Sequence, residues 1–421
     1  MLATLLSATL HGIDGRVIRV EVDVAPGLPG FSVVGLADAS LQEARERVRG
    51  AIRNSGLAFP PRRITVNLAP ADLRKTGASL DAAIAVGILL GSEQARADGP
   101  WALIGELSLG GELRRVPGIL SMVAALARRG IRRVVVPEDA AAEAGLVERI
   151  TVHPATDLTG VLSAIRSGRA AHPKANPARV DLGGPSVAPT SHDGETPAPR
   201  AEGPDLAEVR GQAGARRALE IALAGGHALL LVGPPGSGKT LLARTVPGLL
   251  PPLDPADALT ATAIRSAAGE GPIRELDRRR PFRAPHHTIS YAGMVGGGPV
   301  LAPGEVTRAD QGVLFLDELP EFGRDVLEAL RQPIEEGRVA IVRVGRAVSL
   351  PAHFQLIAAM NPCPCAFRLH PGTCTRSRPS PSSCRRRRAA GCRSGSRPAG
   401  ERSPGAARRS IRRPGGPGPR Q

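Results

Sequence analysis

The chain has few aromatic residues: they make up 2% of its 421 positions, with one Trp and one Tyr. Hydrophobic residues still reach 42%, so the cores must consist of Val, Leu, Ile and Ala. The longest apolar run, near residues 82–90, is too short to span a bilayer. Residues 1–10 carry neither a basic n-region nor a cleavage pattern. We therefore expect a soluble, cytoplasmic protein with no membrane partner. The scarcity of aromatic rings also argues against nucleic-acid binding by base stacking.

Cysteine is absent from residues 1–362, and all five Cys follow, at positions 363, 365, 374, 384 and 392. Cys363-Pro-Cys365 together with a later Cys could bind zinc. However, the irregular spacings, in a tract of Arg, Pro and Ser, form a weak ligand pattern. A disulfide framework is not expected in a cytosolic protein.

Positive charge is concentrated at the end of the chain. Residues 366–421 contain fifteen Arg, no Lys and one acid, a net charge of +14 out of +16 for the whole chain. The remaining 365 residues are nearly neutral, so the global charge says little about DNA binding by the folded domains. Two interpretations of this tail stay open. One is a disordered basic arm that binds nucleic acid; the other, which we favour, is the out-of-frame product of a frameshift after about residue 365.

An eight-residue loop fits the phosphate-binding pattern G-x-x-x-x-G-K-[ST] without a mismatch. It consists of Gly233, Pro234, Pro235, Gly236, Ser237, Gly238, Lys239 and Thr240. An apolar run at 227–232 predicts a buried strand before the loop, and residues 240–246 predict a helix after it. This order directs backbone N–H groups at a polyphosphate. We expect Lys239 to reach the β- and γ-phosphates of ATP and the Thr240 hydroxyl to bind Mg²⁺.

Two further apolar strands end in polar residues. Residues 313–316 precede Asp317 and Glu318, and residues 354–360 precede Asn361. In a phosphate-loop ATPase the first acid supports Mg²⁺ and the second polarises the attacking water. Asn361 would orient that water beside the γ-phosphate. Three parallel strands that deliver these residues to one sheet edge predict a doubly wound α/β core. The segment from Val209 to Gln212 is placed to border the adenine.

Composition divides the chain into four parts. Residues 1–168 predict a mixed α/β domain, 169–204 a flexible linker rich in Pro, Gly, Ser and Ala, 205–365 the ATPase core, and 366–421 the low-complexity tail. Within the first part the patterns predict strands at 17–24, 64–68 and 132–136, helices at 38–53, 79–90 and 117–129, and a hairpin over 103–113 turned by Gly110-Gly111.

Residues 1–365 resemble the YifB/ComM family of Mg-chelatase-like AAA+ ATPases. The resemblance covers both domains and rests on six motifs and the phosphate loop. The motifs are Gly30–Leu36 (GFSVVGL), Glu43–Arg49 (EARERVR), Val209–Gln212 (VRGQ), Arg283–His287 (RAPHH), Gly312–Pro320 (GVLFLDELP) and Met360–Cys365 (MNPCPC). It implies a Lon-protease-like (S5 domain 2-like) N-terminal domain followed by a AAA+ core. Ser79 sits where a Lon-type nucleophile would be, but the segment expected to supply the dyad lysine, 118–122, contains none. We therefore expect no peptidase activity.

The resemblance also implies an ATP-driven DNA motor for branch migration, assembled as a hexameric ring with nucleotide at subunit interfaces. DNA contacts would come from the hairpin at 338–349, through Arg338, Arg343 and Arg346, and from the insert at 283–298. An ordinary solvated hairpin, and a structural turn at His286 and His287, remain open. Family members continue into a helical lid whose arginines act on the γ-phosphate, and nothing in 366–421 matches it. We expect this chain to hydrolyse ATP very slowly or not at all.

Two other functions stay open from the residues alone. One is a chelatase-type ATPase that remodels a metal-inserting partner protein, and the other is a catalytically impaired remnant that only binds nucleotide. DNA-stimulated ATP turnover would favour the motor over the chelatase type. Binding of ATP without turnover would indicate the remnant.

Overall fold

The structure, a computed structural model, describes residues 1–35, 39–71, 78–168, 203–298, 301–343 and 346–362. For residues 39–42, 343 and 346 it describes the backbone alone. The described residues belong to one compact unit, Met1–Pro364. We call residues 1–168 the N-terminal region and residues 203–362 the second region. The tail and all five Cys lie outside the described residues.

The N-terminal region is built on a mixed seven-stranded sheet with the order β3-β4-β2-β1-β5-β8-β9. Its strands pair antiparallel in β1–β2 and β2–β4, and parallel in the other neighbouring pairs. The strands of the sheet are β1 Leu2–His11, β2 Asp14–Ala25, β3 Gly30–Val34, β4 Arg63–Ala69, β5 Ala102–Leu103, β8 Arg133–Pro137 and β9 Thr151–Ala155, and two further strands, β6 Glu106–Leu107 and β7 Leu113–Arg114, form a separate two-stranded sheet. The helices are α1 Ala39–Asn54, α2 Asp81–Gly91, α3 Ile119–Arg128, α4 Ala141–Ala144 and α5 Leu158–Ser167, with a 3₁₀ turn at Glu138–Ala140.

Alternation along β2 explains which of its faces is buried. Ile18, Val20, Val22 and Val24 are buried and point toward α2, as expected from the two-residue period of a strand. The α2 helix is apolar on every side and is buried along almost its whole length. Gly87 permits this close approach, because a Cβ there would lie 2.5 Å from Cγ2 of Val22.

The second region carries a four-stranded, all-parallel sheet with the order β10-β17-β14-β11. The strands of this sheet are β10 Leu229–Val232, β11 Phe282–Arg283, β14 Val313–Leu316 and β17 Gln355–Met360. The region also has two separate two-stranded sheets, one of β12 Gly296–Gly297 and β13 Ala302–Pro303, the other of β15 Arg338–Arg343 and β16 Arg346–Pro351. Its helices are α6 Ala213–Gly225, α7 Lys239–Arg244, α8 Val246–Leu249, α9 Pro255–Ala267, α10 Tyr291–Val295, α11 Glu305–Arg308, α12 Arg324–Ala329 and α13 Arg331–Glu336. Short 3₁₀ turns cover Leu206–Glu208 and Leu319–Glu321.

A buried carboxylate joins the two regions. Glu143, on α4, accepts hydrogen bonds from the Ser266 hydroxyl of α9, from Arg115 and, at 3.1 Å, from the backbone N–H of Leu120. The backbone N–H of Gly118 also donates to the Ser266 carbonyl, at 2.9 Å. The last turn of α9 is therefore bonded to the N-terminal region by two buried hydrogen bonds, both made by Ser266.

Most of the predicted elements are confirmed within a few residues. The three strands predicted to carry the nucleotide-site residues, now β10, β14 and β17, are adjacent and parallel. The hairpin predicted over 103–113 is shorter than expected. Leu103 belongs to β5 in the large sheet, and the Gly110-Gly111 turn connects only β6 and β7. The two-residue strands leave too little alternation to reveal this division.

Candidate nucleotide site

The phosphate loop connects β10 to α7 through two glycines in the left-handed region. Gly236 has φ of 78° and Gly238 has φ of 83°. At both positions no atom lies within 4 Å of where a Cβ would be. A side chain at either position would be strained and would also fill the open side of the loop. The loop thus keeps a concave backbone surface, which fits a polyphosphate chain.

Lys239, the first residue of α7, turns its ammonium group back into the loop. Its Nζ donates to the Gly233 carbonyl at 2.8 Å, the Pro234 carbonyl at 2.9 Å and the Ser237 hydroxyl at 3.3 Å. It also donates to Oδ1 of Asn361 at 3.1 Å, across 122 positions of sequence. All four oxygens are neutral, so the positive charge of Lys239 has no anionic partner among them. The ends of β10 and β17 meet at this ammonium group.

Thr240 and Asp317 meet in the same way between α7 and β14. The Thr240 hydroxyl donates to Oδ2 of Asp317 at 2.7 Å. The other carboxylate oxygen accepts the backbone N–H of Glu318 at 2.9 Å. A hydroxyl and a carboxylate in contact are hard oxygen donors, the type that Mg²⁺ prefers, and Mg²⁺ commonly takes few protein ligands. The residues present therefore fit this ion.

Glu318 lies at the edge of this cluster and has a different environment. Its backbone is left-handed, with φ of 53°, and its side chain is 49% exposed. Nδ1 of His287 lies 3.6 Å from its carboxylate oxygen Oε2. The His287 ring lies against His286, with centroids 4.1 Å apart and the ring planes tilted by 34°, and meets Phe322 edge-on at 6.5 Å. The sequence patterns did not predict this contact, since only the RAPHH motif singled out the two histidines.

The strand before these histidines is anchored by an ion network. Arg283, the last residue of β11, contacts Glu305 at 2.7 Å and Glu270 at 3.3 Å. Arg308 contacts the same two carboxylates, at 3.0 and 3.7 Å. Hydrogen bonds to Glu305 raise the pKa of Arg283 above its ordinary value. Residues 282–286, together with Thr288, Ile289 and Glu305, line an open pocket of about 540 Å³.

Two residues predicted to border the adenine lie beside the loop. The Gln212 side chain donates from Nε2 to the Ser237 carbonyl at 3.1 Å. Val209 is buried in the same apolar cluster as Leu231 and Leu242, and its carbonyl accepts from Arg216 at 3.4 Å. The segment at 209–212 therefore packs against the phosphate loop from the side of α6.

The arginines predicted to contact DNA belong to a separate two-stranded hairpin, β15–β16. Its buried face carries Val339, Ile341, Val348 and Leu350. Arg338 lies at the base of the hairpin and is exposed. Arg343 and Arg346 are paired backbone positions at its far end, where the side chains lie outside the description.

The described residues show neither a cluster of metal-ligating side chains nor a membrane-spanning helix. Within the described ranges, no group of three or more His, Cys, Asp or Glu side chains could hold a metal ion. The suggested zinc ligands all lie outside those ranges. Among the described helices, none is long and apolar enough to cross a membrane.

Two family models match the chain. The model for "Magnesium chelatase, subunit ChlI" matches residues 205–390, which includes the phosphate loop, Asp317 and Asn361. The model for "Subunit ChlI of Mg-chelatase" matches residues 20–140. The first match continues 25 residues past Cys365, into the segment assigned to the tail from its composition.

Several curated proteins are similar over most of the chain. The uncharacterized protein YifB of Salmonella typhimurium is 45% identical over 355 residues, which cover 84% of this chain and 66% of that protein. YifB of Escherichia coli is 44% identical with the same coverage. The competence protein ComM of Haemophilus influenzae is 40% identical over 384 residues, 90% of this chain and 72% of ComM. The chain thus spans about two thirds of the length of these relatives. On this similarity, the chain belongs to the YifB/ComM family of Mg-chelatase-like AAA+ proteins.

Proposed function

We propose that this chain binds ATP with Mg²⁺ in the phosphate loop and that its family hydrolyses the γ-phosphate bond at this site. The observation that carries the proposal is the meeting of Lys239 with Asn361 and of Thr240 with Asp317. The carboxyl ends of adjacent parallel strands bring these pairs together, which is where open α/β sheets bind their ligands.

Each residue has a distinct role in this proposal. Lys239 exchanges its neutral oxygen partners for β- and γ-phosphate oxygens, a stronger charge-assisted interaction. Thr240 and Asp317 hold Mg²⁺, which when bound neutralises developing negative charge on the phosphates. Glu318 accepts a proton from the attacking water, and Asn361 orients that water. We expect slow turnover in the 421-residue chain, because residues 366–421 lack an apolar pattern that would hold an arginine at fixed geometry near the γ-phosphate.

Binding of a fluorescent ATP analogue tests the site directly. Lys239→Ala should weaken binding by roughly 10- to 100-fold, the loss expected when hydrogen bonds to a charged group are removed. Arg217→Ala is the matched control, because Arg217 is an exposed cation on α6 that contacts only its neighbour Glu220 in the described ion pairs. Equal affinity in the parent and in Lys239→Ala would refute the assignment.

For the DNA-related function we propose a hexameric motor that moves branched or single-stranded DNA. The name of ComM supports a role in competence for that relative. The hairpin β15–β16 carries the exposed Arg338 at its base and the paired positions Arg343 and Arg346 at its far end. Phosphate contacts release counterions, so DNA affinity should fall steeply with salt.

A pair of double variants tests the hairpin. The logarithm of DNA affinity falls linearly with the logarithm of salt concentration, with a slope of roughly 0.7–0.9 per phosphate contact. Arg343→Ala/Arg346→Ala removes two such contacts and should therefore lower this slope by about 1 to 2. Arg324→Ala/Arg331→Ala removes the same charge from two exposed helical arginines that already pair with Glu328 and Glu335. If both double variants lose the same slope, the hairpin has no special role.

Two alternatives are separated by the same assays. The chelatase-type interpretation is supported by the names of the matched family models, which refer to a magnesium chelatase subunit. It predicts ATP turnover that DNA does not stimulate but a protein partner does. The remnant interpretation predicts Lys239-dependent ATP binding with no turnover under any condition.

For the N-terminal region we propose a Lon-like fold without peptidase chemistry. Ser79 supports this, because its side chain is buried and donates to the Ala8 carbonyl at 2.9 Å. A nucleophilic serine would need its hydroxyl directed at a base and open to substrate. Lys75, the nearest lysine in sequence, lies outside the described residues.

A further inference from the structure

We propose that His287 is a positioning residue for Glu318, and that its imidazole holds the glutamate carboxylate in the orientation needed to activate water. The inference deepens the proposed ATPase function and rests on it. It concerns a contact between two elements that lie 31 positions apart in sequence, the loop after β11 and the turn after β14.

Glu318 is the member of the site that most needs an orienting group. Lys239, Thr240 and Asp317 each make direct hydrogen bonds of 2.7–3.3 Å to other members of the site or to the loop. The Glu318 carboxylate is half-exposed, and His287 is the one basic side chain within 4.0 Å of it among the described residues. A flexible glutamate loses effectiveness as a base because its carboxylate samples many rotamers. In sites where a base activates a nucleophile, a third group commonly holds the base in the required orientation.

The His287 ring is itself held in place. The His286 ring lies 4.1 Å from it, tilted by 34°, and Phe322 contacts it in an edge-on arrangement at 6.5 Å. Phe322 directly follows the 3₁₀ turn that begins after Glu318, so the ring packs against the same turn that carries the glutamate. His287 is 31% exposed, which leaves its Nδ1 close to the carboxylate in a partly desolvated setting.

The loop that carries His287 is anchored at its start and braced within. Arg283, four residues before it, is fixed by Glu305 and Glu270. Within the loop, Nδ1 of His286 and the Thr288 hydroxyl lie 2.9 Å apart, and the backbone N–H of Ile289 donates to the His286 carbonyl. The His287 to Glu318 distance of 3.6 Å is longer than a hydrogen bond. Contacts of this kind commonly shorten when a catalytic complex forms.

Single-turnover hydrolysis of γ-labelled ATP by the full chain, with protein in excess and long incubations, is the first test. His287→Ala should lower the rate about 10- to 100-fold, the usual effect of removing an orienting partner, with unchanged affinity for the ATP analogue. His287→Asn, whose side-chain amide can replace Nδ1, should recover part of the rate. In a Glu318→Gln background, His287→Ala should have no further effect.

The matched control is His353→Ala. His353 makes a similar contact, with Nδ1 3.5 Å from an Asp310 carboxylate oxygen, on the segment between β16 and β17. Its loss should leave the rate unchanged. Where the parent hydrolyses ATP, a rate that is equal or higher in His287→Ala than in the parent would overturn the proposal. If neither the parent nor any variant binds the ATP analogue, the result counts against the proposed function instead.

A second measurement does not depend on turnover. In the full chain labelled with ¹⁵N-imidazole histidine, the His287 signals can be assigned by their disappearance in His287→Ala. Glu318→Gln should shift these signals and leave those of His353 in place. If the His287 signals are the same in Glu318→Gln and in the parent, His287 does not contact Glu318, and the proposal is wrong even if the chain hydrolyses no ATP.

Discussion

Two pairs of polar side chains, one pair in each region, are used in opposite ways. In the N-terminal region two buried polar side chains are bonded inward, to partners that a ligand could not replace. Ser79 donates to a strand carbonyl, and Asp81 is fully buried beneath Arg47 at 2.7 Å. In the second region Lys239 and Thr240 are only partly buried and are bonded to residues at the sheet edge.

The difference indicates which polar groups are structural and which are available for chemistry. A buried pair such as Arg47 and Asp81 is costly to separate, because either charge alone would lie in an apolar setting. A partly exposed ammonium bonded to neutral oxygens can exchange them for phosphate oxygens at little cost. We therefore expect substitutions in the first region to lower stability, and substitutions in the second to lower ligand binding.

The largest effect should come from Arg47→Met. It leaves the buried Asp81 carboxylate without its cation and should lower the free energy of unfolding by about 3–5 kcal/mol at pH 7. Chemical denaturation measures this change. Asp81→Asn in the same background should restore much of the loss, because the remaining buried group is neutral. No recovery in the double variant would show that Arg47 contributes through its packing.

The pH dependence of this pair has a definite sign. Burial raises the pKa of Asp81 to about 6, against the opposing effect of Arg47. Between about pH 4 and 6 the folded protein retains a proton that the unfolded chain has lost. The free energy of unfolding contributed by Asp81 should therefore fall as pH rises through this window and level off above it. In Arg47→Met the fall should continue above pH 6, so this variant should lose less stability at pH 5 than at pH 7.

A smaller effect is expected from Thr240→Val, this time on binding. The substitution keeps the shape of the side chain and removes the hydroxyl that donates to Asp317. The Mg²⁺-dependent part of ATP affinity should fall about tenfold, near the value of one hydrogen bond to a charged group. Thr240→Ser retains the hydroxyl and should bind as the parent does. Unfolding should be nearly unchanged in both, and a large loss of stability would contradict the contrast between the regions.

The smallest effect should come from Ser79→Ala. It removes one hydrogen bond to the Ala8 carbonyl and should cost about 1 kcal/mol of stability. ATP binding and all other activities should match those of the parent. Covalent labelling of Ser79 by an active-site serine reagent would show that the hydroxyl is reactive and would place chemistry in the N-terminal region.

The sequence was informative where a pattern repeats over several residues. Four apolar residues at 313–316, and a run at 354–360 that is apolar except for Gln355, predicted buried strands, and the polar residues after them indicated the edge where Asp317 and Asn361 now lie. Such predictions succeed because fully buried parallel strands require uninterrupted apolar runs. The phosphate loop adds a fixed spacing, so the placement of Lys239 and Thr240 at this edge could be anticipated.

Contacts between side chains distant in sequence could not be anticipated in this way. Nothing in the local pattern around His287 or Glu318 shows that the two loops meet, since this depends on β11 lying beside β14. The same holds for Glu143, whose partner Ser266 lies in the other region. Such pairs have no period or spacing, and only the packed arrangement of strands and helices specifies them.

The bonds around Glu143 have a consequence for motion. Any rotation of α9 away from α3 must expose this carboxylate or separate it from Ser266, and each lost hydrogen bond to a charged group costs about 1.5–3 kcal/mol. Rotating α9 alone therefore costs more free energy than moving α9 and the N-terminal sheet together. We expect any displacement of α9 to be transmitted to residues 115–143 as a rigid-body step, so that the N-terminal region moves together with this helix.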